Sequence, residues 1–183
     1  MSENRSESPP VKLSGFVIHL QMEPYLVQWL IHEYGTDPVE FPKNSAEYDI
    51  FEIYLIRKPT FALPNEPGEN TVPIAIPYFK SKDVRGKYYL PKSARNSLKR
   101  CIRTRFVIQL WSDLFRFGYI GKEKQDLIWA WMENHGIEAT ETNWSTIAKI
   151  YDRRRRAYNM RNLRRGLNRV KKIPPDPPKT DPV

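Results

Sequence analysis

The sequence predicts an α+β protein: short N-terminal strands with two helices, followed by a three-helix, helix-turn-helix-like C-terminal module with a projecting basic helix. Three observations carry that expectation. Prolines and β-compatible residues punctuate the first half. In the second half apolar residues recur about every fourth position over long stretches. The whole excess of positive charge falls in one segment near the C-terminus.

Residues 1–10, polar and ending in Pro9-Pro10, read as a disordered arm. Residues 11–90 form an expected α+β module. Within it, residues 11–20 have strand character, with Val, Phe and Ile among them. Pro24 suits a first helical turn and opens an amphipathic helix through Tyr25, Leu26, Trp29, Leu30 and Tyr34, which Gly35 closes. Asn44-Ser45 offers a cap for a second helix reaching Arg57, although residues 49–56 also read as a strand. Five prolines and one glycine between Pro59 and Pro77 demand loop. A short strand at 72–79 has a candidate partner at 87–90, across a turn at Gly86.

Residues 91–172 form the expected helical module. Pro91 opens a long helix with Leu98, Ile102, Phe106, Leu110, Leu114 and Phe117 along one side, and Gly118 ends it. A second helix from about Lys122 to Asn134 places Leu127, Ile128, Trp131 and Met132 on one face, and Gly136 ends it. The third is expected to begin at Asn143 as its N-cap, with Trp144, Ile147, Ala148 and Tyr151 as a buried stripe. The tail, 173–183, opens Ile173-Pro174-Pro175-Asp176-Pro177-Pro178, cannot continue a helix, and is expected to be disordered.

Composition bounds the function. With 40% hydrophobic and 13% aromatic residues, the chain has too much apolar material to be disordered throughout. Its apolar runs, such as 106–110, fall far short of the roughly 20 residues that span a bilayer, so no membrane partner is expected. The first residues lack the apolar stretch of a secretory signal, which points to a cytoplasmic location. A single cysteine, Cys101, excludes an internal disulfide and a cysteine-rich metal site.

Residues 1–142 hold 18 basic and 18 acidic residues and cancel. Residues 143–172 hold eleven Lys/Arg against one acid, Asp152. Four consecutive arginines, Arg153, Arg154, Arg155 and Arg156, point around most of a helix circumference, so that turn cannot lie against an apolar core and the helix must project. Tyr158, Asn159 and Asn162 are interleaved with Arg161, Arg164, Arg165 and Arg169. Arginines neutralise phosphates, tyrosine stacks on bases or bonds phosphates, and asparagine reads adenine edges. These eleven residues are the candidate nucleic-acid contacts.

The expectation is a nucleic-acid-binding protein, DNA in preference to RNA, acting as a regulator or as an accessory factor of replication, recombination or a mobile element. The competing expectation is an assembly or scaffold protein whose basic helix binds an acidic protein partner. Self-association would fall to the N-terminal module. A second basic cluster, Lys80, Lys82, Arg85, Lys87, Lys92, Arg95, Lys99, Arg100, Arg103 and Arg105, would widen the footprint if it faced the same way.

Catalytic signatures are absent from the sequence, so neither an enzyme nor a cofactor is expected. Eight glycines form no phosphate-binding loop. His19, His32 and His135 have no spacing suited to a metal, so no metal ligands are assigned. Cys101 reads as a small core residue. The tryptophans read as core, with Trp129 the candidate exception as a stacking platform, because it lies off the line of Leu127 and Trp131.

Overall fold

A computed structural model describes residues 13–35, 37–61, 66–82, 88–117 and 123–170, with side chains left out at 13–15, 116–117 and 166–170. The arm at 1–10, the turn at Gly86, the stop at Gly118 and the tail at 173–183 lie outside the described residues. The element order is β1 (Leu13–Gln21), α1 (Pro24–Tyr34), α2 (Ala46–Tyr54), β2 (Ile56–Arg57), β3 (Thr71–Pro77), β4 (Tyr88–Tyr89), α3 (Lys92–Phe117), α4 (Lys124–Asn134) and α5 (Glu141–Val170). The chain is therefore mixed α+β, with five helices and two small antiparallel sheets among the described residues.

Strand pairing differs from the expected hairpin. β3 pairs with β1, in the register Ile18↔Ile74 and Gln21↔Thr71, while β4 pairs only with the two-residue β2. Val72, Ile74, Ala75 and Ile76 of β3 are buried, so this strand needs a long apolar neighbour. Ile18 and Leu20 of β1 provide one, which the short β4 with its half-buried tyrosines cannot. Pro73 is tolerated because its nitrogen faces the outer edge of β3. There its carbonyl accepts from Val39 N–H at 2.9 Å, on the side away from β1.

Both N-terminal helices begin as the sequence implies. Pro24 occupies the first turn of α1, and Gly35 ends it in the left-handed region at φ 63°. Ser45 caps α2, its Oγ accepting from Tyr48 N–H at 3.1 Å. The second helix stops at Tyr54, short of Arg57, and Leu55 turns extended into β2. Its last carbonyls are held by the Lys82 ammonium, which donates to Phe51 O, Glu52 O and Leu55 O at 3.2, 2.5 and 2.8 Å.

α3 is the spine. Ala94, Leu98, Ile102, Phe106, Leu110 and Leu114 are buried at four-residue intervals, and the helix packs on α2, α4 and α5. Phe106 joins the two halves of the chain: its ring meets Tyr25 and Trp29 of α1 at 5.2 and 5.4 Å, and Trp131 of α4 at 5.5 Å. One apolar cluster runs without a break from Ile18 to Tyr151. Truncating a ring buried this completely costs about 3–5 kcal/mol.

The last connection is gripped by α1. Gly136 has φ 65°, and a Cβ there would lie 2.7 Å from His32 Cδ2, so a side chain is excluded by backbone and by space alike. Gln28, one turn before His32, accepts from Glu138 N–H at 3.0 Å. The third helix of the module starts at Glu141, its cap three residues earlier than expected. Thr140 is the cap, its Oγ1 accepting from Asn143 N–H at 3.2 Å. Asn143 is instead a buried first-turn residue, and its Nδ2 donates to Glu138 O at 3.0 Å. Among the described residues no helix is long and apolar enough to cross a membrane.

Candidate nucleic-acid interface

The 30 residues of α5 extend about 45 Å, and the helix divides into an anchored part and an exposed part. The anchored part begins with Trp144, Ile147, Ala148 and Tyr151. Ile147, Ala148 and Tyr151 are buried, as the spacing implies. Trp144 is only half-buried and stacks on Trp129 of α4, with the rings 6.1 Å apart and 20° from parallel. Trp129 therefore spends one face on another tryptophan rather than standing free as a platform.

Anchoring continues two turns past Tyr151. Tyr158 packs on Trp111 and Phe115 of α3, at 5.5 and 5.3 Å between ring centroids. Trp111 also meets Tyr151 at 5.7 Å, so one tryptophan holds two successive tyrosines of α5. This contact was hidden in the sequence by the arginines on either side of it. Met160 and Leu163, by contrast, are 53% and 63% exposed, which ends the apolar stripe.

Arg153, Arg154, Arg155, Arg156, Asn159, Arg161, Asn162, Arg164 and Arg165 are all exposed, as the charge run implies. The backbone of Arg169 continues the helix, and its side chain lies outside the described residues. At about 100° per residue, Arg153, Arg154, Arg161, Arg164 and Arg165 share one face some 120° wide. Asn159 lies on the opposite side of that face. The single acid of the segment does not offset the charge, because both carboxylate oxygens of Asp152 accept from Lys124 of α4, at 3.0 and 2.9 Å.

Three members of the second basic cluster are structural, while Lys80, Lys92 and Arg100 are exposed. Lys82 caps α2, and burial lowers its pKa. Arg103 pairs with Glu23. Arg105 reaches Tyr34 Oη at 2.8 Å and Glu47 Oε2 at 2.6 Å, and Glu47 is fully buried. Burial above all pushes the Tyr34 hydroxyl up to about 12. Cys101, half-buried, lies beside the same carboxylate, and burial, then Glu47, pushes its thiol up to about 11. Lys92, Arg95 and Lys99 line an open groove of about 440 Å³, together with Glu66 and Glu69. Arg85 and Lys87 lie outside the described residues.

Two of the histidines, separated in the sequence, come together in the fold. His32 and His135, far apart in the chain, have ring centroids 6.4 Å apart, and Glu33 joins them in one cluster. Nothing in their spacing signals this, because α1 and α4 meet only through tertiary packing. Comparison adds no relative to these observations: the chain matches no protein-family model, no curated protein and no solved structure.

Proposed function

We propose that this protein binds nucleic acid, DNA in preference to RNA, by laying the exposed part of α5 along the phosphate backbone, in a regulatory or accessory role. One observation carries the reading: seven exposed arginines stand on a helix rooted in the core, and the lone acid among them is already taken by Lys124. Counterion release makes such a surface bind polyanions, with an affinity that falls steeply with salt.

α4, the connection at 135–140 and α5 would act as a helix-turn-helix-like unit, with one departure. In that motif the first residues of the second helix meet the bases. Here Glu141 and Thr142 are exposed but carry no cation, Asn143 is buried and Trp144 is stacked on α4, and the arginines lie further along. Phosphate contact through Arg153, Arg154, Arg161, Arg164 and Arg165 therefore dominates, and sequence preference is weak. Tyr158 serves to hold the helix on α3, and Asn159 stands outside the basic face.

The test is fluorescence anisotropy with duplex DNA, single-stranded DNA and RNA at several salt concentrations, on the full chain and on its Arg153→Gln/Arg154→Gln/Arg155→Gln/Arg156→Gln variant. Losing the two phosphate contacts of Arg153 and Arg154 flattens log K against log salt by nearly 2, and lowers affinity about 30-fold at 0.15 M salt for every duplex sequence. An unchanged slope would remove these arginines from the interface. Tight binding to acidic proteins, with none to any nucleic acid, would establish the scaffold reading instead.

A further inference from the structure

Where α1 ends and α4 ends, three elements bring a mixed set of donors together. His32 and Glu33 belong to the last turn of α1, and His135 is the residue that closes α4. One ligand atom from each of the three lies within 4.8 Å of the others. His135 Nδ1 is 3.6 Å from Glu33 Oε2, and its Nε2 is 3.5 Å from Asp113 Oδ2 on α3. We propose that His32, Glu33 and His135 form a binding site for a divalent transition-metal ion of the zinc class.

Four features favour a cation here. Two helix carboxyl ends converge, and the macrodipole of each places partial negative charge there. Two carboxylates, Glu33 and Asp113, add to that field. The donor set of two imidazoles and one carboxylate suits zinc and its neighbours, whereas magnesium and calcium want oxygen alone. Finally, the surroundings of His135 are built to hold a ligand in place. Its ring lies 4.3 Å from that of Trp131, whose Nε1–H donates to Asp113 Oδ2 at 3.1 Å. With Nδ1 on the metal, Nε2–H faces Asp113, the carboxylate–histidine pairing that orients metal-bound imidazoles. Gln109 likewise donates to Glu33 Oε2 at 3.0 Å.

The ligands must close in. Zinc bonds of about 2.0–2.2 Å put tetrahedral ligands about 3.3 Å apart, so pairs that now lie within 4.8 Å must close by up to about 1.5 Å. His32 and Glu33 are exposed and can shift by small rotations, while His135 stays where Trp131 and Asp113 hold it. Three protein ligands leave a fourth position for water. The ion would tie the end of α1 to the connection leading into α5, the segment that His32 and Gln28 already grip through Gly136 and Glu138.

The test uses the full, untagged chain, stripped of metal with a chelator, and needs no nucleic acid. Zinc chloride is titrated in competition with a chromophoric chelator, and thermal melts are run with and without zinc. We expect one zinc per chain and a higher melting temperature with zinc than without. His135→Gln and His32→Gln should each weaken binding at least about 10²-fold, and Asp113→Asn about 10–100-fold with every ligand retained. His19→Gln should change nothing. Because His32 is exposed, its variant remains informative even if His135→Gln fails to fold. The proposal is overturned if no saturable site appears, if zinc binding survives in His32→Gln/Glu33→Gln, or if millimolar magnesium displaces the zinc.

Discussion

α3 and α5 are the two longest helices of the molecule, both rich in cations, and they use those cations in opposite ways. In α3 the basic residues from Lys92 to Arg105 alternate with a buried stripe that runs on to Leu114. Acids at the cap of α1 and in α2 come within reach, so Arg103 meets Glu23 and Arg105 meets the buried Glu47. In α5 the stripe gives out at Tyr158, and the one nearby acid is committed to Lys124. An arginine therefore becomes part of the scaffold where a stripe and an acid flank it, and is left for a partner where neither does. Total charge does not separate the two cases.

That contrast can be broken by stability measurements, since affinity and folding should respond to different arginines. The largest effect is expected for Arg105→Ala, which strands Glu47 inside the core. Unfolding in urea should show a loss of about 3 kcal/mol, the low end for breaking a buried pair because Arg105 is 39% exposed. Nucleic-acid affinity of the folded fraction should hold. A variant as stable as the parent would show that Glu47 is satisfied without Arg105.

Trp144→Ala should cost about 2 kcal/mol, less than a fully buried tryptophan would, because Trp144 is half-buried against Trp129. An unchanged melting point would dissolve the anchor at the start of α5. Tyr158→Ala comes next, at about 1 kcal/mol, the worth of aromatic contacts made at a half-exposed edge. Hydrogen exchange sharpens this case. Amides around Ile147 to Tyr151 should stay protected in the variant, while those just before residue 158 lose protection. In the parent, amides beyond 158 should already exchange fast, and strong protection there would mean that the far part of α5 packs on something.

The smallest stability effect belongs to the quadruple glutamine variant of Arg153, Arg154, Arg155 and Arg156. Glutamine matches arginine in helix propensity, and the four side chains are exposed, so stability should stay within about 0.5 kcal/mol. A large loss would place those arginines with Arg105, inside the scaffold. Little change in stability beside an about 30-fold loss of affinity would confirm the division between the two helices.

Sequence alone determined what short-range physics controls. Pro24 and Gly35 bracket α1, Ser45 caps α2, the four-residue spacing from Leu98 to Leu114 makes α3 a core helix, and the arginine run marks the exposed part of α5. Each of these signals acts within a few turns of chain, through backbone angles, caps or helical periodicity. Tertiary structure alone decided which strand β3 joins, that Thr140 rather than Asn143 caps α5, that Tyr158 lies on Trp111, and that Lys82 and Arg105 turn inward. It also brought His32 and Glu33 to His135. These pairings depend on which surfaces meet once the core around Phe106 closes, and no local periodicity encodes that. A proton donor or a ring finds its partner across the chain only when packing brings the two within a few ångströms, the range over which such contacts act.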